Sequence, residues 1–207
     1  MTPIIISAVS LLVSITVAWL TLFRRGNLAM TQPILVGFLY DLPGREPKVF
    51  FRAMLYATGK RGHIIEALYL KVRRGESTQT FSFWMYGETK ALMIGSGLRV
   101  GEDGVSCNHH FLPPKDASLF AFLAGDYVIG VYARIVNRSA PVLLSTVRLS
   151  LPQEQASALR DPAKGILFTW GPDSQSYHGS VSQGPTHSYP PGSGGPMNDE
   201  TSRGTTA

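Results

Sequence analysis

Cys107-Asn108-His109-His110 is the densest run of potential metal ligands in the chain. Sulfur and imidazole together suit zinc or copper, so a metal or redox site is one chemistry these residues could perform. In a β-strand Cys107 and His109 share one face and His110 points to the other. No methionine, second cysteine or carboxylate stands close by in sequence to complete a ligand shell, and the spacing matches no zinc-finger pattern. His63, His178 and His187 lie far away in sequence. The plainer reading, a buried cysteine acting as a small hydrophobe with histidines capping a strand end, is therefore favoured, and no cofactor is expected.

A second group is basic. Lys48, Arg52, Lys60, Arg61, Lys71, Arg73 and Arg74, with Arg45, face only Glu46 and Glu66 between positions 45 and 74. Against anionic headgroups each such charge contributes about 1 kcal/mol near the surface. Phe50, Tyr56, Tyr69 and Trp84 are interleaved or close by, and as stacking groups they also admit nucleic acid, the less favoured partner. An ordinary solvated strand face explains the same charges. The formal net charge of +5 permits attraction to phosphate without requiring it.

The familiar catalytic signatures are missing from the sequence: there is no nucleophile elbow, no His-Glu-x-x-His, no P-loop and no cysteine pair. Gly95 to Gly104 is rich in glycine but lacks the Lys-Ser/Thr of a phosphate loop, and Glu102-Asp103-Gly104 reads as a hairpin tip. Asn137-Arg138-Ser139 fits a glycosylation triplet that arises often by chance. No catalytic residue is expected. The lone Cys107 excludes an intrachain disulfide and suits a reducing compartment.

These side chains need elements to hold them, and the sequence divides into four parts. Residues 1–25 read as a transmembrane anchor: Pro3 to Phe23 carries no charge, and about 20 residues at ~1.5 Å each match a hydrocarbon core of roughly 30 Å. Its serine and threonine hydroxyls can bond back to the helix carbonyls. Arg24 and Arg25 follow it, so on a bacterial inner membrane the positive-inside rule favours a cytoplasmic domain, with a periplasmic one as the alternative. Met30 is an alternative start that would remove this segment. Residues 26–31 read as a linker, residues 32–173 as a β-sandwich, and residues 174–207 as a disordered Ser/Gly/Pro-rich tail with too little apolar surface to offset ordering.

Within 32–173, period-two alternation marks antiparallel strands with one buried face. The buried sets are Ile34/Val36/Phe38/Tyr40, Val49/Phe51/Ala53/Leu55, Leu68/Leu70/Val72 and Phe81/Phe83/Met85. Tyr127/Ile129/Val131/Ala133/Ile135, Leu143/Val147/Leu149/Leu151 and Ile166/Phe168/Trp170 complete the series. Pro152 to Arg160 reads as a short helix. Leu123 to Ala133, with Gly125-Asp126-Tyr127 at the strand start, resembles the F strand of immunoglobulin-like domains, whose tyrosine bonds back to the preceding corner.

As a whole the chain resembles uncharacterised bacterial single-pass membrane proteins that carry an immunoglobulin-like sandwich. The resemblance rests on Trp19 to Arg25, Val105 to Phe111, Gly125-Asp126-Tyr127 and Phe168 to Asp173. It implies an architecture and no activity. The expectation is an all-β, immunoglobulin-like antiparallel sandwich behind one transmembrane helix, working as a protein-binding or scaffold module for another membrane-associated protein. The alternatives are a module contacting anionic lipid or nucleic acid, and a metal or redox protein.

Overall fold

The computed structural model describes residues 2–20, 26–41, 45–88, 91–115 and 120–183. Alternating sequence becomes two antiparallel sheets facing each other across one apolar core. The elements are α1 (Thr2–Ala18), β1 (Leu28–Met30), β2 (Leu35–Asp41), β3 (Glu46–Ala57), β4 (His63–Arg74), β5 (Ser77–Phe81), β6 (Phe83–Glu88) and β7 (Ala91–Ile94). They continue as β8 (Leu98–Val100), β9 (Val105–Leu112), β10 (Gly125–Ile135), β11 (Val142–Leu151), α2 (Gln153–Ala158), β12 (Lys164–Gly171) and β13 (Ser176–Gln183). The larger sheet runs β13-β12-β2-β3-β9-β6-β7, with β1 added alongside β3. The smaller runs β11-β10-β4-β5, with β8 added alongside β4.

Each long strand buries every second side chain. Val49, Phe51, Ala53 and Leu55 of β3 meet Leu68, Leu70 and Val72 of β4, and Tyr127, Ile129, Val131 and Ala133 of β10, in a single core cluster. The Tyr127 hydroxyl donates to the Leu123 carbonyl at 2.6 Å, tying the start of β10 to the corner before it, as the sequence predicts. Helix α2 begins after Pro152, which suits a residue with no N–H to donate.

Six sequence expectations need correction. Ile34, expected in a buried set, lies ahead of β2 and is 60% exposed. Leu143 is 51% exposed, because a register shift between Leu143 and Ser145 changes which side chains of β11 face inward. Residues 28–30 of the expected linker form β1, because Leu28 is buried and its backbone pairs with Ala57. Residues 176–183 of the expected tail form β13: although mostly polar, they pair along the whole of β12. The rest of that tail, 184–207, lies outside the described residues. The Phe81/Phe83/Met85 face breaks after Phe81, because the chain leaves the smaller sheet at Ser82 and enters the larger one. Parity then inverts, so that Trp84 points into the core and Phe83 is exposed. Finally, the Glu102–Gly104 turn joins strands of different sheets, since β8 pairs with β4 and β9 with β3.

Helix α1 carries apolar side chains on every side, and they are exposed, Ile4 by 74% and Leu12 by 65%. Ser7, Ser14 and Thr16 return their hydroxyls to the carbonyls four residues earlier at 2.8–2.9 Å. At 17 residues α1 is about 26 Å long at 1.5 Å per residue. Among the described residues no helix is long and apolar enough to cross a membrane. Arg24 and Arg25 lie outside the described residues.

Candidate functional site

Strand β9 lies between β3 and β6, so its inward side chains sit in the middle of the larger sheet's core face. Cys107 stands opposite Ala53 and His109 opposite Phe51, and both are buried. The Trp84 indole N–H donates to His109 Nδ1 at 3.3 Å. Indole nitrogen can only donate, so Nδ1 is the unprotonated nitrogen and Nε2 carries the hydrogen. That N–H faces Cys107 Sγ at 3.6 Å. Burial holds His109 down at a pKa of about 4 and pushes the Cys107 thiol up.

The result is a neutral imidazole bonded to a neutral thiol. Activating the thiol would mean moving its proton to Nδ1, the position that Trp84 occupies. The pair is therefore packed against ion-pair formation, unlike a reactive cysteine in an electropositive, accessible setting. Histidine here sits in mid-strand inside the core and caps no strand end.

His110 points out of the opposite face of the sheet, stacked on Phe50 with ring centroids 5.5 Å apart. Its two ring nitrogens are buried without a hydrogen-bond partner, and burial, with Lys48 and His109 nearby, lowers its pKa to about 3. Cys107, His109 and His110 thus do not converge. Among the described residues no three His, Cys, Asp or Glu side chains are placed to hold a metal ion.

The basic residues separate even further. Lys48 and Arg52 lie on the outer face of the larger sheet. Lys48 is 8% exposed and 3.7 Å from Asp41, and burial lowers its pKa against the pull of that carboxylate. Arg52 reaches Glu88 at 3.0 Å and Asn108 at 3.3 Å. Lys60 and Arg61 occupy the turn between β3 and β4. Arg74 turns to the end of the sandwich, donating to the Ala124 carbonyl at 3.1 Å.

Lys71 and Arg73 remain, on the outer face of the smaller sheet, where strand pairing brings them a new neighbour. Arg73 and Arg148 flank Val128 in one cross-strand row. In the next rows Lys71 lies beside Gly130, and Tyr69 beside Tyr132. The two tyrosine rings stack at 5.3 Å, and Lys71 Nζ stands 5.2 Å from the Tyr132 ring centre. A side chain at position 130 would collide with the Tyr132 ring, so Gly130 gives that ring its place. Arg148 lies far along the chain from the basic segment, and only the alternation of β11, which turns it outward, hinted at its place.

No family model matches the chain, and no curated protein matches it. A solved structure that does match is the CooA pilin subunit from enterotoxigenic Escherichia coli. The identity is 8% and the TM-score 0.30, covering 59% of this chain and 97% of that one. A likeness of that size carries no argument about fold detail or function.

Proposed function

We propose that this chain is a membrane-tethered, immunoglobulin-like sandwich that binds another membrane-associated protein through the outer face of its smaller sheet. The observation that carries the reading is the juxtaposition of Tyr69, Tyr132, Lys71, Arg73 and Arg148 on one sheet face. Tyrosine and arginine are enriched where protein interfaces concentrate their binding energy, and stacked tyrosines lose little entropy on contact. The cations select an acidic partner and speed its approach.

Strand order supports the immunoglobulin-like detail. The run β2-β3-β9-β6 facing β11-β10-β4-β5 corresponds to the order A-B-E-D against G-F-C-C′. Strands β12 and β13 then extend the A edge and β7 the D edge. The tether is supported by the uncharged, outward-facing apolar surface of α1, which the sandwich leaves open, together with apolar Trp19 and Leu20. The arginines at 24 and 25 favour a cytoplasmic domain on a bacterial inner membrane.

Placing a photo-crosslinking amino acid at position 132 of the full chain in native membranes tests this. One discrete adduct is expected, and it disappears when Arg73 and Arg148 are both replaced by Glu. An adduct pattern that these replacements leave unchanged rejects the assignment of this face.

A further inference from the structure

The end of the sandwich at which the chain enters the domain carries a groove that the proposed interface does not use. The chain enters the domain at Gly26 and Asn27, and there it is pinned. Asn27 N donates to Thr58 Oγ1 at 2.7 Å and Thr58 N donates to the Asn27 carbonyl at 2.9 Å. Six residue steps separate Leu20 from Gly26, a reach of at most roughly 20 Å. The β3–β4 turn, which Asn27 touches, is therefore held close to where the chain leaves the N-terminal helix, and strand β8 and the β10–β11 turn adjoin it at the same end of the sandwich.

These segments together enclose a groove of about 370 Å³ lined by Arg61, His63, Ile64, Arg99, Val136 and Asn137. Arg61 and Arg99 lie in separate strands or turns, brought together where His63 pairs with Val100. His63 Nε2 is buried and has no hydrogen-bond partner. Ile64 and Val136 are 49% and 42% exposed at the same place, although both are large and apolar. Lys60 is next to Arg61 in the turn, and Arg138 reaches Asn27 Oδ1 at 3.5 Å. Glu102 and Asp103, in the neighbouring turn, leave this end with more cations than carboxylates.

We infer that the groove docks on the bilayer that α1 enters, with the phosphate of an anionic phospholipid headgroup between Arg61 and Arg99. This rests on the tether proposed above. Two guanidinium groups suit phosphate oxygens, because each offers paired N–H donors in a planar fork. His63 and Asn137 add donors at the groove wall, and Ile64 and Val136 lie against the acyl boundary. The short connection to α1 raises the local concentration of headgroups, so that a contact too weak for a soluble domain becomes the resting state.

The test uses the full chain reconstituted in vesicles of phosphatidylcholine alone or of phosphatidylcholine with phosphatidylglycerol, followed by amide hydrogen exchange. Residues 59–64 and 134–137 should exchange about tenfold more slowly in the anionic vesicles, since each cation at such a surface contributes on the order of 1 kcal/mol. High salt should remove the difference. The double variant Arg61→Glu, Arg99→Glu should lose it, while residues 68–72 in the core exchange as in the unmodified chain. If that variant fails this core check, Arg61→Gln with Arg99→Gln takes its place.

Equal exchange in the two vesicle types overturns the inference, as does a difference that the folded variant retains. Protection by inorganic phosphate in phosphatidylcholine vesicles would also overturn it, in favour of a soluble anion. Flotation of the same samples in alkaline carbonate separates the two readings. A chain that floats without lipid-dependent protection rejects the docking alone, and a chain that fails to float rejects the tether beneath it.

Discussion

For Cys107 and His109, one indole hydrogen bond settles what the pair can do. Trp84 holds His109 Nδ1 as an acceptor, and burial keeps the ring neutral down to a pKa of about 4. An unfolded histidine binds its proton near pH 6.5, so between there and pH 4 the unfolded state holds the extra proton. Stability is therefore fully present above pH 6.5 and falls as the pH drops toward 4, by on the order of 3 kcal/mol from this group. His110, lowered to about 3, acts in the same direction. Urea titrations at pH 7 and pH 4.5 should show the loss. The variant His109→Gln should start less stable at pH 7 and have a shallower dependence; equal slopes would remove His109 from the account.

At the scale of elements, β13 shows how a polar strand is kept. Its backbone pairs with β12 from Lys164–Gln183 to Gly171–Ser176, and its one large aromatic is anchored twice. The Tyr177 hydroxyl donates to the Pro33 carbonyl at 2.6 Å and accepts from Gln32 Nε2 at 2.8 Å, with burial raising its pKa to about 12. Its ring also packs on Trp170, centroids 4.9 Å apart. Ending the chain after Asp173 should therefore cost at least about 3 kcal/mol relative to a chain ended after Gln183, from lost hydrogen bonds and newly exposed apolar surface. Equilibrium denaturation of the two truncations measures this, and equal midpoints would show β13 to be dispensable. Composition had placed these residues in the tail, because backbone pairing with a distant strand leaves no mark on the side chains that composition counts.

For the whole molecule, tether, groove and sheet face form one geometric proposal. If the β3–β4 end rests on the bilayer, the outer face of the smaller sheet stands sideways, where a second membrane protein can reach it. The expected result is that the full chain floats with phosphatidylcholine vesicles at alkaline pH, while a chain lacking residues 1–25 stays at the bottom of the gradient. Flotation of the shortened chain in those vesicles would show that α1 is not the anchor.

The uncharged apolar run at the N-terminus, the two-residue alternation and the tyrosine at the start of β10 were all legible in the sequence. Each is a local pattern, imposed by a helix or strand on its own side chains, and they sufficed for the sandwich and for most of its buried face. The inward-facing Cys107 and His109 and the outward-facing His110 followed from the same alternation. Tertiary structure alone decided which strands became neighbours, because long-range backbone hydrogen bonds set sheet order. That order scattered the basic segment over both sheets and both ends, brought Arg148 to Arg73, set Arg61 and Arg99 in one groove, and put Trp84 against His109.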